Sequence, residues 1–174
     1  MPTGGLIAIN DKNHKKIRKL IEARRWCGIT NRIDDSYDVK ELGDNCYMNE
    51  ISAAIGINQL KKLNKINSIR KDIAKRYSTE LSLDNKMKFT QDCSYHLYWI
   101  CVKNRKEFRD KMYQKGIQTG THYKPIHTLS LYKNKIKLPI TEKIGKEIVT
   151  LPMHPNLKQN QIDKIILCTN KFAR

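Results

Sequence analysis

The sequence predicts an α+β fold in which helices flank a small antiparallel sheet. In residues 49–81, apolar side chains recur at intervals of three to five and predict one long amphipathic helix. Three short segments that follow it, residues 95–102, 117–123 and 149–153, are rich in β-branched and aromatic side chains, which is typical of strands. Helices beside a small antiparallel sheet make an α+β domain, and no internal repeat is present in the sequence.

The first residues predict a strand followed by a helix. An apolar run at residues 6–10, bounded by polar and glycine residues, predicts a buried strand. Asp11 is the predicted N-cap of a helix over residues 12–24, and Gly28 is placed to end that element. One strand and one helix cannot bury both faces of the strand, so we expect this unit to lie at the edge of a larger sheet. Residues 29–46 lack periodicity and are predicted to form a long loop.

The long helix carries a patch of small side chains that we call the small-residue face, namely Ala53, Ala54 and Gly56. Glycine in a helix interior costs roughly 1 kcal/mol relative to alanine. Gly56 therefore predicts tight packing against another backbone, and the small-residue face is the candidate surface for dimerisation or for interaction with another polypeptide.

Further helices are predicted after the first strand of the small sheet. Residues 105–115 form one, which Gly116 ends. Residues 143–149 form a second, and residues 159–172 form a closing helix with isoleucines along one side. Among the histidines, His96 and His154 are expected to be structural and His14 to be exposed.

The formal net charge of +17 raises the question of nucleic-acid binding. The lysines are spread along the chain, and no known nucleic-acid-binding motif is present. Asparagine, isoleucine and tyrosine, which share A/T-rich codons with lysine, are abundant too, so coding bias explains the charge about as well. A basic interaction or nucleic-acid-binding module stays an alternative function.

Composition also bears on location and on metals. No window approaches the roughly 18 consecutive apolar residues of a membrane span, and the N-terminus lacks a basic segment, so a cytoplasmic protein is expected. The five cysteines are scattered without a CxxC pair, which predicts free thiols, mostly buried, rather than a zinc site or disulfides.

Five segments resemble the DegT/DnrJ/StrS family of sugar aminotransferases. The longest begins at Leu42 and reads LGDNCYMNEISAAIGINQL, close to the family pattern L-G-x-N-x-R/K-M-x-E-x-x-A-A-x-G-x-x-Q-L. The others are TGGLIAIND from Thr3, SYHLY from Ser94, GIQTGTHYKPIH from Gly116 and LPMHP from Leu151. They occur in the family's order along nearly the whole chain.

The resemblance implies a pyridoxal-phosphate (PLP) transferase of fold type I. Residues 47–174 would be its small C-terminal domain, and residues 1–46 would be the strand-helix edge of its large domain. The resemblance also implies a nucleotide-sugar substrate and a homodimer, or else a complementary N-terminal half.

Transamination needs a lysine that holds the cofactor as a Schiff base and an acidic group at the pyridine nitrogen. In the family, the lysine precedes the Gly-Gly strand by several residues, and no lysine of this sequence matches it. We therefore expect a C-terminal fragment that contains no catalytic residue and is inactive alone. A non-catalytic remnant is a second alternative.

The resemblance implies three binding residues. Asn45 would reach the cofactor phosphate in the neighbouring subunit, although such a residue can equally form a helix-entry turn. Tyr47 stands where the family has a basic residue, and a phenol carries no permanent positive charge. Tyr123 and His127 would contact the nucleotide sugar. His122 and His127 are five residues apart and have no further ligands nearby in the sequence, so no metal site is predicted there.

Overall fold

The computed structural model describes residues 4–132 and 136–173, which form an α+β fold with two small antiparallel sheets. The predicted fold class is confirmed. The chain divides into two compact units, Met1–Lys62 and Leu63–Arg174. The longest helix runs through both units, so the predicted domain boundary between residues 46 and 47 stays a prediction.

The first unit contains helix α1 (His14–Arg25), strands β1 (Ile29–Ile33) and β2 (Ser36–Val39), and the beginning of helix α2 (Glu50–Glu80). Asp11 organises the start of α1, since its Oδ1 accepts a hydrogen bond of 2.6 Å from Asn13 N. The N-cap position itself is Asn13 rather than Asp11. At the other end of α1, Gly28 has a φ of 77° and donates to Ala23 O at 2.9 Å, which closes the helix as predicted.

The predicted strand over residues 6–10 is absent from the structure. These residues have no regular hydrogen-bonding pattern, and Leu6 is 89% exposed. A strand exists only through the ladder it forms with a neighbour, and within residues 4–132 and 136–173 nothing pairs with this segment. Its apolar sequence is therefore left without the sheet that the pattern anticipates.

The predicted loop over residues 29–46 contains a β-hairpin instead. Strands β1 and β2 pair antiparallel, with Ile29 opposite Val39 and an irregularity before Ile33. The turn between them places Asp34 at a φ of 50°, a conformation that aspartate tolerates better than most residues. Strand β1 does not alternate apolar and polar residues, and β2 alternates over only four positions, so the pattern is too short for the hairpin to be recognised.

The second unit contains the hydrophobic core. Strands β3 (Tyr98–Cys101) and β4 (Ile148–Leu151) pair antiparallel in regular register. The C-terminal part of α2, helix α3 (Arg105–Gln114), helix α4 (Pro139–Glu147) and helix α5 (Gln159–Phe172) accompany them. The largest fully buried side chains of this core are Tyr77, Tyr95, Tyr98, Ile100, Phe108, Met112, Val149 and Ile162.

The predicted elements of the second unit are found with altered bounds. The strand predicted at residues 95–102 is reduced to β3, and the one predicted at 117–123 is reduced to a single bridge between Gly120 and Thr150. Helix α4 begins at Pro139 and gives way to β4 at Ile148, where the chain turns extended. Proline suits the first turn of a helix, because the amide hydrogen it lacks has no partner there.

The cysteines are free, as predicted, but they are not mostly buried. Cys168 is buried, whereas Cys27 and Cys46 are exposed. None of the helices formed by residues 4–132 and 136–173 combines the length and apolar character of a membrane span.

Tyr77 provides a test of the core. Its side chain is fully buried, and its hydroxyl donates a hydrogen bond of 2.9 Å to Pro152 O, just after β4. We expect Tyr77→Phe to lower the free energy of unfolding by about 1–2 kcal/mol, because the carbonyl loses its donor. Tyr113→Phe is the matched control, since that side chain is 75% exposed. Urea unfolding at pH 7 measures both, and equal midpoints for the two variants would contradict the role of this bond.

The same tyrosine predicts a loss of stability in alkali. Burial raises the pKa of Tyr77 in the folded protein well above its ordinary value of about 10. Above pH 10 the unfolded chain releases this proton while the folded chain keeps it, so stability falls as the pH rises. We expect unfolding curves collected between pH 8 and 11 to show a steeper loss for the native protein than for Tyr77→Phe.

Candidate functional site

The first candidate site surrounds Asn45, whose position is set by backbone contacts with the end of α1. Asp44 N donates to Arg24 O and Cys46 N donates to Arg25 O, both at 2.9 Å. Gly43 allows this approach, since a Cβ there would lie 2.5 Å from Arg24 O. The segment of residues 43–46 is thereby fixed against α1 by pairing that leaves the Asn45 side chain outside.

The Asn45 side chain has an unused pair of donors. Its Oδ1 accepts a hydrogen bond of 3.3 Å from Tyr47 N, which forms a local turn before α2 begins at Glu50. Its amide nitrogen has no hydrogen-bond partner within the described ranges, and the residue is exposed. The turn and a ligand contact are therefore compatible, because they use different atoms of the same amide.

Two arginines and two aromatic rings lie beside Asn45. The guanidinium of Arg25 is 4.7 Å from the centre of the Tyr47 ring, and that of Arg32 is 4.9 Å from the Trp26 ring. The two rings meet edge to face at 6.0 Å. We call Arg25, Trp26, Arg32 and Tyr47 the arginine–aromatic cluster. It supplies the positive charge that a tyrosine at position 47 cannot.

This arrangement fits a phosphate-bearing cofactor such as PLP. Arg25 takes part in no ion pair within the described ranges, so its charge is available to an anion. The amide of Asn45, two residues before Tyr47, adds uncharged donors. Arg25 was not recognised from the sequence, because it lies 22 positions before Tyr47 and only the folded chain brings them together.

The second candidate site, in the other unit, is the segment from Gly120 to His127. Gly120 and Thr150 exchange two backbone hydrogen bonds of 3.0 and 2.9 Å, which attach this segment to β4. The His122 Nδ1 is 2.7 Å from Thr150 Oγ1, and the His122 and Tyr123 rings meet edge to face at 4.9 Å. Tyr123 is 68% exposed, so it presents its phenol to solvent as a substrate contact requires.

His127 is held by helix α4. Its Nε2 is 3.3 Å from Glu142 Oε1, and the same oxygen accepts a hydrogen bond of 3.0 Å from Leu138 N. The backbone hydrogen bond from Leu138, together with the contact from His127, lowers the pKa of Glu142 below its usual range. One nitrogen of His127 is thus occupied within the protein, and a ligand can reach only the other.

Pro125 lies against a glycine of α4. A Cβ at Gly145 would be 2.4 Å from Pro125 Cγ, so only glycine allows the ring to pack at this distance. Together, Gly145 and Glu142 set the position of the loop between Tyr123 and His127. Neither residue was recognised from the sequence, because they belong to a helix some 20 residues further along.

Two other histidines differ from their predicted structural role. His96 and His154 are both exposed and line the same cavity as His122, whereas His14 is exposed as predicted. Within the described ranges, no three His, Cys, Asp or Glu side chains are placed to hold a metal ion.

The geometry of both sites can be set beside known proteins. The model of the DegT/DnrJ/EryC1/StrS aminotransferase family matches residues 1–169. The chain belongs to this family. It is 31% identical to GDP-perosamine synthase of Escherichia coli O157:H7, over 97% of this chain and 47% of that protein. It is also 31% identical to a UDP-4-amino-4,6-dideoxy-N-acetyl-β-L-altrosamine transaminase of Campylobacter jejuni, over 90% and 46%.

Solved structures of aminotransferases share its fold. Spr1654 of Streptococcus pneumoniae superposes with a TM-score of 0.83 at 25% identity, over 92% of this chain and 44% of that one. The chain spans about half the length of the curated relatives it matches. The predicted family and the fold type of the family are thereby confirmed.

The packing of Pro125 on α4 predicts opposite effects of one substitution at two helical glycines. Gly145→Ala forces a Cβ into the proline ring, and we expect it to lower the free energy of unfolding by about 1–3 kcal/mol. Gly56→Ala is the matched control in α2, where a Cβ has no neighbour within 4 Å. There the helix should gain roughly 1 kcal/mol. Chemical denaturation of the two variants measures both changes, and a stabilising Gly145→Ala would show that the loop is not held there.

Proposed function

We propose that residues 1–174 act as the C-terminal half of a PLP-dependent nucleotide-sugar aminotransferase. The Schiff-base lysine would come from a segment outside these residues, in the same polypeptide or in a separate one. The observation that carries the proposal is that the Asn45 amide nitrogen and the Arg25 guanidinium, which lies over the Tyr47 ring, have no hydrogen-bond or ion-pair partner among the described residues, in a chain that matches the family over residues 1–169.

The relatives indicate the class of substrate. The two curated relatives described above are named for GDP- and UDP-linked amino sugars. We therefore propose a nucleotide-linked keto sugar as the amino acceptor. Tyr123 would donate a hydrogen bond to the sugar or its phosphates, and His127 would offer its remaining ring nitrogen.

For the cofactor we propose PLP, since the structural neighbour Spr1654 is known in a PLP form and a PMP form. When bound, PLP supplies an electron sink for amino-group transfer. Asn45 and Arg25 would hold its phosphate through neutral and charged donors respectively. The Tyr47 ring would hold the Arg25 side chain in place by its contact with the guanidinium.

Exposed apolar surface supports a partner for the first unit. Of its described residues, only Ala23 and Gly28 are buried, whereas Leu6 and Leu42 are 89% and 95% exposed. Apolar surface of this kind marks an interface rather than a free face. We propose that the N-terminal half of the enzyme and a second subunit cover it, and that the assembly works in the cytoplasm, where free thiols persist.

Reconstitution tests the function. The 174-residue chain would be assayed alone, and then together with a polypeptide carrying the missing lysine segment, for amino transfer to GDP- and UDP-linked keto sugars. We expect product only from the combination. A soluble complex that binds PLP yet transfers no amino group would instead favour the non-catalytic remnant.

Arg25→Ala in the reconstituted enzyme isolates the role of the arginine. We expect the Kd for PLP to rise about tenfold, because one charge-assisted contact to the phosphate is lost. Lys19→Ala removes the same charge from an exposed position of α1 and should leave the Kd unchanged. The measurement is a titration followed by PLP absorbance, which does not depend on turnover. Equal PLP affinities for the two variants would show that Arg25 does not contact the cofactor.

Gly56→Ala tests the small-residue face. A Cβ at Gly56 would have no neighbour within 4 Å among the residues that the structure describes, so these residues do not provide the tight packing predicted there. If another subunit or half packs on this face, the alanine that stabilises the isolated chain should weaken the assembly by about tenfold or more. Analytical ultracentrifugation compares the two proteins, and an unchanged association constant would place the interface elsewhere.

A further inference from the structure

A cavity of about 280 Å³ in the second unit is lined by an unusual number of nitrogen-bearing side chains. It lies beside the bridge between Gly120 and Thr150, and backbone and apolar groups complete its wall. Its nitrogen-bearing residues are Arg70, His96, Gln118, His122 and His154.

Arg70 has no partner for its charge. Its Nε is shielded from solvent and makes no hydrogen bond, and the guanidinium joins no ion pair with any residue the structure describes. Arginine stays protonated in proteins. A shielded donor of a charged group is costly to leave unpaired. A negatively charged ligand would supply the acceptor that none of the described residues provides.

His122 is oriented in advance. Thr150 Oγ1 lies 2.7 Å from its Nδ1. A Cβ at Gly120 would be 2.6 Å from His122 Cε1, so the imidazole rests on a position that only glycine leaves open. The ring is fixed by the same pair of residues that joins this segment to β4. Because the His122 ring is already held in place without a ligand, binding costs less conformational entropy.

The remaining imidazoles lie at the exposed edge of the cavity. His96 and His154 are solvent-accessible, and a neutral imidazole offers one N–H donor in either tautomer. Among the described residues that line the cavity, none is a carboxylate. The wall therefore presents one fixed positive charge and several donors with no internal anion to satisfy them.

We propose that this cavity binds an oxyanion, a phosphate or carboxylate group, between Arg70 and the imidazoles of His96, His122 and His154. The volume suits one such group with a few waters. An adjoining cavity of about 530 Å³ shares His154, Gln118 and Gly120 and is also lined by Lys164, so a larger molecule that carries the anion has room to extend. Binding at this place does not depend on amino transfer or on PLP.

Three probes distinguish the sources of the anion. Inorganic phosphate, UDP and glutamate would each be titrated into the 174-residue chain at constant ionic strength, with the imidazole resonances of the histidines followed by NMR. We expect saturable shifts of His96, His122 and His154, with His14 as the internal reference. Saturation by phosphate and UDP alone would identify a phosphate site, and saturation by glutamate alone a carboxylate site. No saturable shift with any probe would overturn the proposal.

Variants locate the binding. Arg70→Gln should weaken the affinity at least about tenfold, through loss of one charge-assisted contact. Lys75→Gln removes a charge from an exposed position of the same helix and should not change it. Since Arg70→Gln risks disturbing the fold, His154→Asn, at an exposed position, provides the second test and should weaken binding severalfold. Affinity retained in His154→Asn and in a folded Arg70→Gln protein would show that the anion binds elsewhere.

The proposal and the proposed function fail separately. The titrations use the chain without PLP or a partner, whereas amino transfer requires both. If the reconstituted enzyme is active but the chain binds no anion in this cavity, only the anion-site proposal is overturned. If the chain binds the anion but never supports amino transfer, the anion-site proposal stands and the proposed function fails.

Discussion

The two backbone hydrogen bonds between Gly120 and Thr150 determine where the second candidate site lies. Thr150 belongs to β4, which pairs with β3 on its other side and is buried in the core. The segment that starts at Gly120 is therefore attached to the buried sheet of this unit. Thr150 also contacts His122 through its side chain, so one residue fixes both the path of the segment and the direction of its first imidazole. A polar site built on such a scaffold needs little rearrangement when a ligand binds.

The first unit depends on a different constraint. Residues 43–46 are held to the end of α1 by backbone hydrogen bonds, and Gly43 permits the contact. These bonds set local geometry, but they bury little apolar surface, and most of the free energy of folding comes from such burial. The arginine–aromatic cluster thus has defined neighbours without a core beneath it. Its stability is expected to rise when the exposed apolar side chains around it are covered.

The sequence predicted the elements that have a strong apolar period and missed those that depend on pairing. Helix α2 and the closing helix α5 were placed within a residue or two, because their apolar faces repeat at the helical interval. The hairpin of β1 and β2 was missed, since β1 does not alternate and β2 alternates over only four residues. The strand expected at residues 6–10 has the right composition but no neighbour to pair with. An apolar pattern thus indicates that a segment can form a strand, but the strand forms only where a neighbouring segment pairs with it.

The sites follow the same rule at the level of single residues. Asn45 and Tyr123 were predicted as binding residues because they lie within short motifs, and both are exposed in the structure. Arg25 could not, since nothing in its helix distinguishes it from the arginine before it. Yet Arg24 pairs with Glu41, while Arg25 lies over the Tyr47 ring and forms no ion pair with any residue that the structure describes. In the motif, tyrosine at position 47 replaces a positively charged residue. In the folded chain, the guanidinium of Arg25 from α1 lies over that tyrosine. A substitution in a binding motif is therefore better judged by the charge around the position than by the residue that occupies it.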